Sequence, residues 1–158
     1  MQRIKLSDLE LEEDGTAPEG FRARSAGIGD KLGAKDTGTT LYELPAGQAL
    51  CPYHVEYVEE EWAMVLEGRA TVRTPEGIEE IEPFEVVFFP KGPDGAHQVR
   101  NDSEETVRLL MWSNRINPGV VTYPDSGKIA IWTSETHRIR VMESDQVGYW
   151  DGEARDAP

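Results

Sequence analysis

The chain has 158 residues, 38% of them hydrophobic, and a formal net charge of −14 from 30 acidic and 16 basic residues. This length predicts one domain with a substantial core, and the charge argues against nucleic acid or an anionic membrane surface as a partner. The apolar runs are too short to span a membrane, the N-terminus lacks the pattern of a secretory signal, and Cys51 is the single cysteine. We therefore expect a cytoplasmic protein without an internal disulfide.

Residues 1–38 are predicted to form an N-terminal extension that packs on the rest of the domain. The extension begins with a polar, acidic stretch, and residues 21–24 have the composition of a short strand. Glycines at positions 27, 29 and 33 are expected to break any helix in the segment that follows.

Residues 39–112 contain short apolar or alternating segments, separated by turn residues at intervals of about ten positions. The predicted strands are 39–44, 62–66, 70–74, 78–81, 86–89, 98–101 and 107–112. Because Val86–Phe89 is apolar throughout, this strand is expected to be buried on both faces. The spacing, with no helical period between the strands, predicts an all-β sandwich or barrel.

Residues 113–158 are predicted to form a C-terminal extension of turns, one short strand at 129–132 and a polar tail. The segment Tyr123–Lys128 has turn composition and lacks the glycine spacing of a phosphate loop. We expect it to be a structural turn that closes a sheet edge or contributes to a dimer contact.

Two histidines lie beside predicted core strands. His54 and Glu56 are two residues apart, so on an extended chain both side chains leave from the same face. Glu61 begins an apolar run, and His97 follows another apolar run and a loop rich in proline and glycine. Imidazoles and carboxylates directed inward from partner strands are how a β-scaffold forms a metal site.

These residues fall in two ordered patterns. The first is Gly47, six residues, His54-x-Glu56, four residues, Glu61, six residues and Gly68. The second is Phe84, five residues, Pro90-x-Gly92, four residues, His97, three residues and Asn101. Together the patterns resemble the two motifs of the cupin superfamily over about residues 40–112. The resemblance implies a cupin-type double-stranded β-helix, or jelly-roll barrel, with a central metal, commonly in a homodimer.

By position, the resemblance implies that His54, Glu61 and His97 are metal ligands and that Glu56 replaces the family's usual second histidine. Glutamate is a harder and more negative donor than histidine, so manganese, iron(II) or zinc is favoured over copper, with nickel also possible. The sequence departs from the family pattern in two further places. Phe84 stands where a turn glycine is usual, and the loop before His97 is two residues longer.

Other interpretations of the same residues remain open. The two histidines are also compatible with a cupin that has lost its metal, and Glu56 is compatible with a ligand, a general base or a solvent-facing side chain. Glu59 and Glu60 are expected to be solvated, although a register slip would make Glu60 the ligand. Cys51 is expected to be a small buried residue.

Further side chains are candidates to surround the site. Tyr53, Tyr57, Trp62, Met64, Phe88 and Met111 are predicted to fill the barrel, some of them lining a cavity above the metal. Three arginines are candidates to neutralise a carboxylate substrate, namely Arg73, Arg108 and Arg115.

The sequence thus predicts a metal-dependent cupin that acts on a small polar metabolite, either a carboxylate or a sugar-like molecule. The metal would serve as Lewis acid or O2 activator, which leaves oxygenase, isomerase, lyase and decarboxylase reactions open. The alternatives are a non-catalytic module that binds a small sugar or acid, with or without metal, and a structural role as a dimer platform.

Overall fold

The computed structural model describes residues 1–134 and 136–154, which form antiparallel sheets and one short α-helix. The strands, in chain order, are β1 (Glu12–Glu13), β2 (Arg24–Gly27), β3 (Thr37–Leu44), β4 (Val55–Glu56), β5 (Glu61–Glu67), β6 (Ala70–Thr74), β7 (Gly77–Ile81), β8 (Val86–Phe89), β9 (Gln98–Arg100), β10 (Val107–Asn114), β11 (Gly119–Tyr123), β12 (Lys128–Trp132) and β13 (Arg138–Met142). The helix α1 spans Ile28–Leu32, and single 3-10 turns span Leu6–Asp8, Pro93–Gly95 and Glu143–Asp145.

Two layers of sheet enclose the core. One layer is a six-stranded sheet in the order β1-β2-β3-β10-β5-β8. The other consists of a three-stranded sheet, β7-β6-β9, and a four-stranded sheet, β13-β12-β11-β4. The isolated bridge His54–His97 connects the residues just before β4 and β9 and so joins these two smaller sheets, and a second bridge pairs Ala49 with Arg100 of β9. The all-β class expected from the strand spacing and the jelly-roll arrangement implied by the cupin resemblance are therefore confirmed.

Inward-facing side chains alternate along the strands of both layers. On β5, Ala63 and Val65 are 3% and 1% exposed, whereas their neighbours are only half-buried. They pack against Leu109 of β10 and, from the other layer, Val72 and Val99. This alternation is the period of two expected of a strand with one buried face. No helix among the residues that the structure describes has the length and hydropathy of a membrane span.

The segment of glycines near the N-terminus does contain a helix, contrary to the sequence prediction. α1 is five residues long and ends at Gly33, which adopts a left-handed conformation with φ of 77°. The Gly33 amide donates to the Asp30 carbonyl, and the Ala34 amide donates to that of Gly29. The glycine therefore terminates one short helix because it accepts a positive φ at little cost.

Strand β8 is not buried on both faces, so this part of the prediction is wrong. Val86 is 56% exposed and Phe88 is 46% exposed. β8 lies at the edge of the six-stranded sheet, and its register with β5 places Phe88 opposite Trp62 and Val86 opposite Met64. These four side chains therefore stand on the outer face of the sheet and do not fill the barrel.

The C-terminal segment contains more regular structure than the single short strand expected at 129–132. β10 extends to Asn114, and β11, β12 and β13 then form an antiparallel meander. β11 pairs with β4 through Val121–Glu56 and Thr122–Val55. The meander therefore continues the sheet that begins at His54 and Glu56.

Candidate metal centre

Strand pairing places the two histidines next to each other. The His54 amide donates to the His97 carbonyl at 3.1 Å, and the His97 amide donates to the His54 carbonyl at 3.0 Å. Residues that exchange both hydrogen bonds lie directly opposite, with their side chains on the same face. The ring centroids are 4.5 Å apart, and both residues are buried.

Backbone carbonyl groups determine which imidazole nitrogen of each histidine carries hydrogen. Nδ1 of His54 lies 3.0 Å from the Pro52 oxygen, and Nδ1 of His97 lies 2.9 Å from the Gly95 oxygen. A carbonyl oxygen only accepts, so each Nδ1 is the donor and each Nε2 retains a lone pair in the neutral ring. The longer loop before His97 supplies one of these acceptors, because Gly95 ends the 3-10 turn Pro93–Gly95.

Both Nε2 atoms face the same carboxylate oxygen. Oε2 of Glu61 is 3.3 Å from Nε2 of His54 and 3.4 Å from Nε2 of His97. Two ligand atoms about 2.1 Å from one zinc ion are about 3.4 Å apart at a tetrahedral angle. The spacing of these donor atoms therefore fits a shared divalent metal ion.

Hydrogen bonding alone does not satisfy the group. Nε2 of His97 is buried and lacks a hydrogen-bond partner among the described residues, since its contact with Glu61 is a long ion-pair distance. Three acceptor atoms that converge on one point require a cation or a proton between them. The three ligand atoms all lie within 4.8 Å of one another, so His54, Glu61 and His97 form a candidate metal-binding group.

The pKa shifts of the three residues also indicate that the group requires a positive charge. Burial acts to lower the pKa of His54, but Cys51 and the Glu61 carboxylate raise it to about 11. Burial, together with a positive charge on His54, lowers the pKa of His97 to about 4. Burial acts to raise the pKa of Glu61, but the two histidines outweigh this effect and lower the pKa below its usual value. The group thus holds one positive charge against one carboxylate, a charge that a metal ion would supply instead.

Glu56 lies beside this group but is not one of the three clustered ligands. Its side chain is half-buried, and Oε2 is buried without a hydrogen-bond partner among the described residues. Burial and the nearby Glu61 carboxylate raise the pKa of Glu56 to about 8. The side chain is therefore not a solvated surface charge, in contrast to one of the interpretations left open by the sequence.

The other two acidic residues of the segment have different surroundings. Glu59 was expected to be solvated, but its side chain is half-buried. Its Oε1 accepts from the Ile116 amide at 3.0 Å, and its Oε2 accepts from the Ser113 hydroxyl at 3.3 Å. Glu60 is not in the clustered group, and its amide donates to Asn114. Glu59 therefore attaches the segment to the end of β10.

The three arginines suggested as substrate ligands all pair with acidic side chains. Arg73 makes two hydrogen bonds to Asp125, at 2.6 and 2.9 Å, and its guanidinium lies 4.0 Å from the centroid of the Tyr53 ring. Arg108 contacts Glu43 and Glu67, and Arg115 contacts Asp30. These pairings leave the arginines poorly placed to neutralise a substrate.

Two residues that the motifs did not identify lie beside His54. Sγ of Cys51 lies 3.6 Å from Nδ1 of His54, so the thiol is half-buried beside the site. The Tyr123 ring lies 6.3 Å from the His54 ring, at an interplanar angle of 30°. Tyr123 lies outside both motifs and about seventy residues from His54, so only the pairing of β11 with β4 reveals its position.

Comparison with known proteins agrees with this architecture. Residues 40–113 match the family model described as "Cupin domain". A comparison with curated protein sequences gave no significant match.

Solved structures resemble the chain over most of its length. A proposed sugar phosphate isomerase from Acidithiobacillus ferrooxidans is 26% identical, covers 90% of each chain and has a TM-score of 0.81. A cupin-superfamily sugar phosphate isomerase from Silicibacter pomeroyi is 19% identical over 95% of this chain and 98% of that chain, with a TM-score of 0.81. A polyketide cyclase from Streptomyces resistomycificus is 25% identical over 72% of this chain and 79% of that chain, with a TM-score of 0.60.

The β-sheet architecture, the cupin domain matched at residues 40–113 and the likeness to the Acidithiobacillus ferrooxidans structure together identify the chain as a cupin-type protein.

Proposed function

We propose that this cupin is a metal-dependent isomerase that interconverts the aldose and ketose forms of a small phosphorylated sugar. The observation that carries the proposal is the unpartnered carboxyl group of Glu56 beside the histidine–glutamate group. The likeness to the proposed sugar phosphate isomerase from Acidithiobacillus ferrooxidans, at 26% identity, supports the choice of substrate class.

In this proposal His54, Glu61 and His97 hold a divalent metal, with manganese, iron(II) or zinc favoured over nickel. Three protein ligands leave a coordination position open for substrate, as in catalytic metal sites. A metal ion bound there would act as a Lewis acid and polarise the sugar carbonyl.

Glu56 would transfer the proton. Its carboxylate removes the proton from the hydroxyl-bearing carbon next to the carbonyl, and the electron pair forms a carbon–carbon double bond as the carbonyl oxygen gains charge. One proton then passes between the two oxygens, and Glu56 returns its own proton to the former carbonyl carbon. Burial raises the pKa of Glu56 from the usual range of a carboxyl group toward neutrality, which favours a role as general base and then general acid.

The test compares the wild-type protein with Glu56→Gln, and uses the exposed Glu67→Gln as matched control. A panel of aldose and ketose phosphates is incubated in D2O, and turnover and deuterium incorporation are followed by NMR. Because general base catalysis contributes about 10²–10⁴-fold, Glu56→Gln should lose that much rate while its metal content is unchanged. Glu67→Gln should match the wild type.

Three results would count against the proposal. Loss of metal in Glu56→Gln would make Glu56 a ligand and would remove the proposed base. Full turnover in Glu56→Gln would also reject the base. If the protein binds metal and sugar phosphate but exchanges no deuterium, the non-catalytic binding module is the better description.

The cellular setting and the division of the chain are part of the proposal. We propose a cytoplasmic protein that does not bind nucleic acid, supported by the single cysteine and the net charge of −14. In this scheme residues 39–112 form the barrel core that carries the metal centre, and residues 1–38 are an N-terminal extension that packs on the barrel. Residues 113–158 are a C-terminal extension, which places Tyr123 beside His54.

We further propose that two copies associate through the outer face of the six-stranded sheet. On that face the Trp62 ring lies 4.7 Å from the ring of Phe88 and stacks 6.3 Å from that of Trp112, and Val86 is 56% exposed. These side chains are uncharged, so two strongly acidic chains can approach there with least repulsion. Adjacent apolar side chains that are partly exposed on one face are typical of an interaction site.

Light scattering after gel filtration measures the association. The wild-type protein should have about twice the chain mass of 17.7 kDa, and Phe88→Glu should be monomeric because it places a charge in the contact. Ile78→Glu, at a 60% exposed position on β7 of the other layer, is the matched control and should remain dimeric. A dimeric Phe88→Glu would rule out this face.

A further inference from the structure

The strand register places side chains of the C-terminal meander on the same face as Glu56. Glu56 pairs with Val121, Val121 with Ala130, and Ala130 with Arg140, so these four residues form one row across the sheet. Residues directly opposite in an antiparallel sheet share a face. Val121 and Ala130 are each 1% exposed, so this row begins at the buried site and ends at an exposed arginine.

A second row lies next to the first. Tyr123 pairs with Lys128, and Lys128 lies two residues before Ala130 on β12. Because Ala130 pairs with Arg140, Lys128 is on the same face as Arg140 and is its diagonal neighbour. Diagonal neighbours in antiparallel strands are about 7–8 Å apart, and both side chains are long enough to meet at one small anion. We propose that Lys128 and Arg140, named here the cationic ledge, bind the phosphate group of the substrate. This inference rests on the proposed function for the identity of the rest of that substrate.

The positive charges of the cationic ledge are not neutralised by ion pairs among the described residues. Within residues 1–134 and 136–154, neither Lys128 nor Arg140 forms an ion pair with a carboxylate. Asp125, three residues before Lys128, is instead held by Arg73. In a chain with 30 acidic residues, two cations without acidic partners on the face that leads to the site favour an anionic ligand.

Tyr123 connects the cationic ledge to the metal centre. Its ring lies 6.3 Å from that of His54, and Nζ of Lys128 lies 5.1 Å from the Tyr123 ring centroid. Burial raises the pKa of the Tyr123 hydroxyl, and the charges of His54 and Arg140 oppose that rise. Tyr123 therefore lies beside both His54 and Lys128.

The distances suit a phosphorylated sugar. Two centroid distances placed end to end limit the separation between the His54 ring and Nζ of Lys128 to about 11 Å. An open chain of six carbons, with bonds of about 1.5 Å, is shorter than this upper limit. The carbonyl end of such a sugar would lie at the metal centre while its phosphate contacts the cationic ledge.

The charge also distinguishes phosphate from carboxylate. A phosphate ester carries about −1.5 to −2 at neutral pH, which two adjacent cations neutralise more completely than they do a carboxylate with one charge. Lysine supplies a point charge and arginine a planar fork, and both are common phosphate ligands.

Lys128 lies at the end of a hairpin that is fixed to the barrel. Amides of Ser126 and Gly127 donate to the Tyr123 carbonyl, which closes the turn between β11 and β12. The two hydrogen bonds from Arg73 to Asp125 attach this turn to β6 of the barrel. The backbone at Lys128 is therefore fixed before a ligand binds.

The experiment measures binding without metal or turnover. Chelator-treated protein is titrated calorimetrically with inorganic phosphate and, separately, with glucose 6-phosphate and glucose. Because hydrogen bonds to charged groups are strong, Lys128→Met and Arg140→Met should each weaken phosphate binding about tenfold or more. Lys35→Met, which removes one exposed charge from the loop between α1 and β3, should bind as the wild type does. Circular dichroism verifies that each variant is folded.

The results separate this inference from the proposed function. Wild-type binding of phosphate and glucose 6-phosphate but not glucose, lost in the two ledge variants, supports the cationic ledge even if no isomerase activity is found. Absence of phosphate binding by wild-type protein overturns the ledge. Equal binding by Lys128→Met, Arg140→Met and Lys35→Met also overturns it, even if the protein isomerises a sugar phosphate.

Discussion

Replacing Phe84 with glycine should stabilise the protein, although it removes a large apolar side chain. Phe84 is the one described non-glycine residue with a positive φ, at 68°, in the turn between β7 and β8. Its amide donates to the Val65 carbonyl at 2.8 Å, which keeps the turn in this conformation. The position is also where the cupin pattern usually has glycine.

The magnitude follows from two opposing effects. A left-handed conformation costs a residue with a Cβ atom about 1–2 kcal/mol, and glycine avoids this cost. Glycine in turn increases the conformational entropy of the unfolded chain, which destabilises the native state by about 0.5–1 kcal/mol. The Phe84 side chain is 77% exposed, so little burial is lost. We expect Phe84→Gly to raise the free energy of unfolding by about 0.5–1 kcal/mol.

Urea unfolding followed by tryptophan fluorescence measures the effect. The midpoint should shift to higher urea with an unchanged slope, and the melting temperature should rise by about 1–4 °C. Phe84→Ala is the matched control, because it removes the ring but keeps the Cβ atom and hence the backbone strain. This variant should differ from wild type by no more than about 0.5 kcal/mol.

The pattern across the two variants decides the outcome. Equal destabilisation by Phe84→Ala and Phe84→Gly would show that the ring packs in the native protein and would refute the argument from φ. A stabilised glycine variant beside a neutral alanine variant would attribute the effect to the backbone.

Two further predictions concern the core and the metal centre. Asn101 is fully buried, and its amide group donates to the Leu44 and Glu105 carbonyls while its Oδ1 accepts from Ser103. Asn101→Ala should therefore lower the free energy of unfolding by about 2–4 kcal/mol in a urea titration, and a loss below about 0.5 kcal/mol would contradict this role. Chelation should lower the melting temperature of metal-loaded protein, because metal at about 100 times its Kd contributes about 2.7 kcal/mol to the native state. His97→Ala should melt at the same temperature with and without chelator, and elemental analysis should find its metal content reduced.

Much of the barrel could be predicted from local patterns. Seven predicted strands in the cupin domain correspond to β3 and β5–β10 with end points that differ by no more than two residues. Local composition is informative there because each strand has its own alternating or apolar run bounded by turn residues. The exposure of β8 was missed, since an apolar run does not reveal whether a strand lies at a sheet edge.

The site was predicted in part for a similar reason. His54, Glu61 and His97 were identified because their spacing along the chain follows the family motifs, and the structure brings their ligand atoms together. The partners of Glu59 and of Arg73 were not foreseen, because they lie 54 or more and 52 residues away, respectively. Contacts over such distances depend on which strands pair and in which register.

The sequence by itself determined the all-β class and the turn positions, because these depend on periodicity and composition within short segments. The grouping of His54, Glu61 and His97 was implied by the resemblance to the cupin motifs, and strand pairing between distant segments brings them together. Only the tertiary structure decided that the C-terminal meander continues the sheet of Glu56 and that Tyr123, Lys128 and Arg140 share the face that carries Glu56. The physical reason is that hydrogen bonding between distant strands selects one register, and that register determines which side chains share a face.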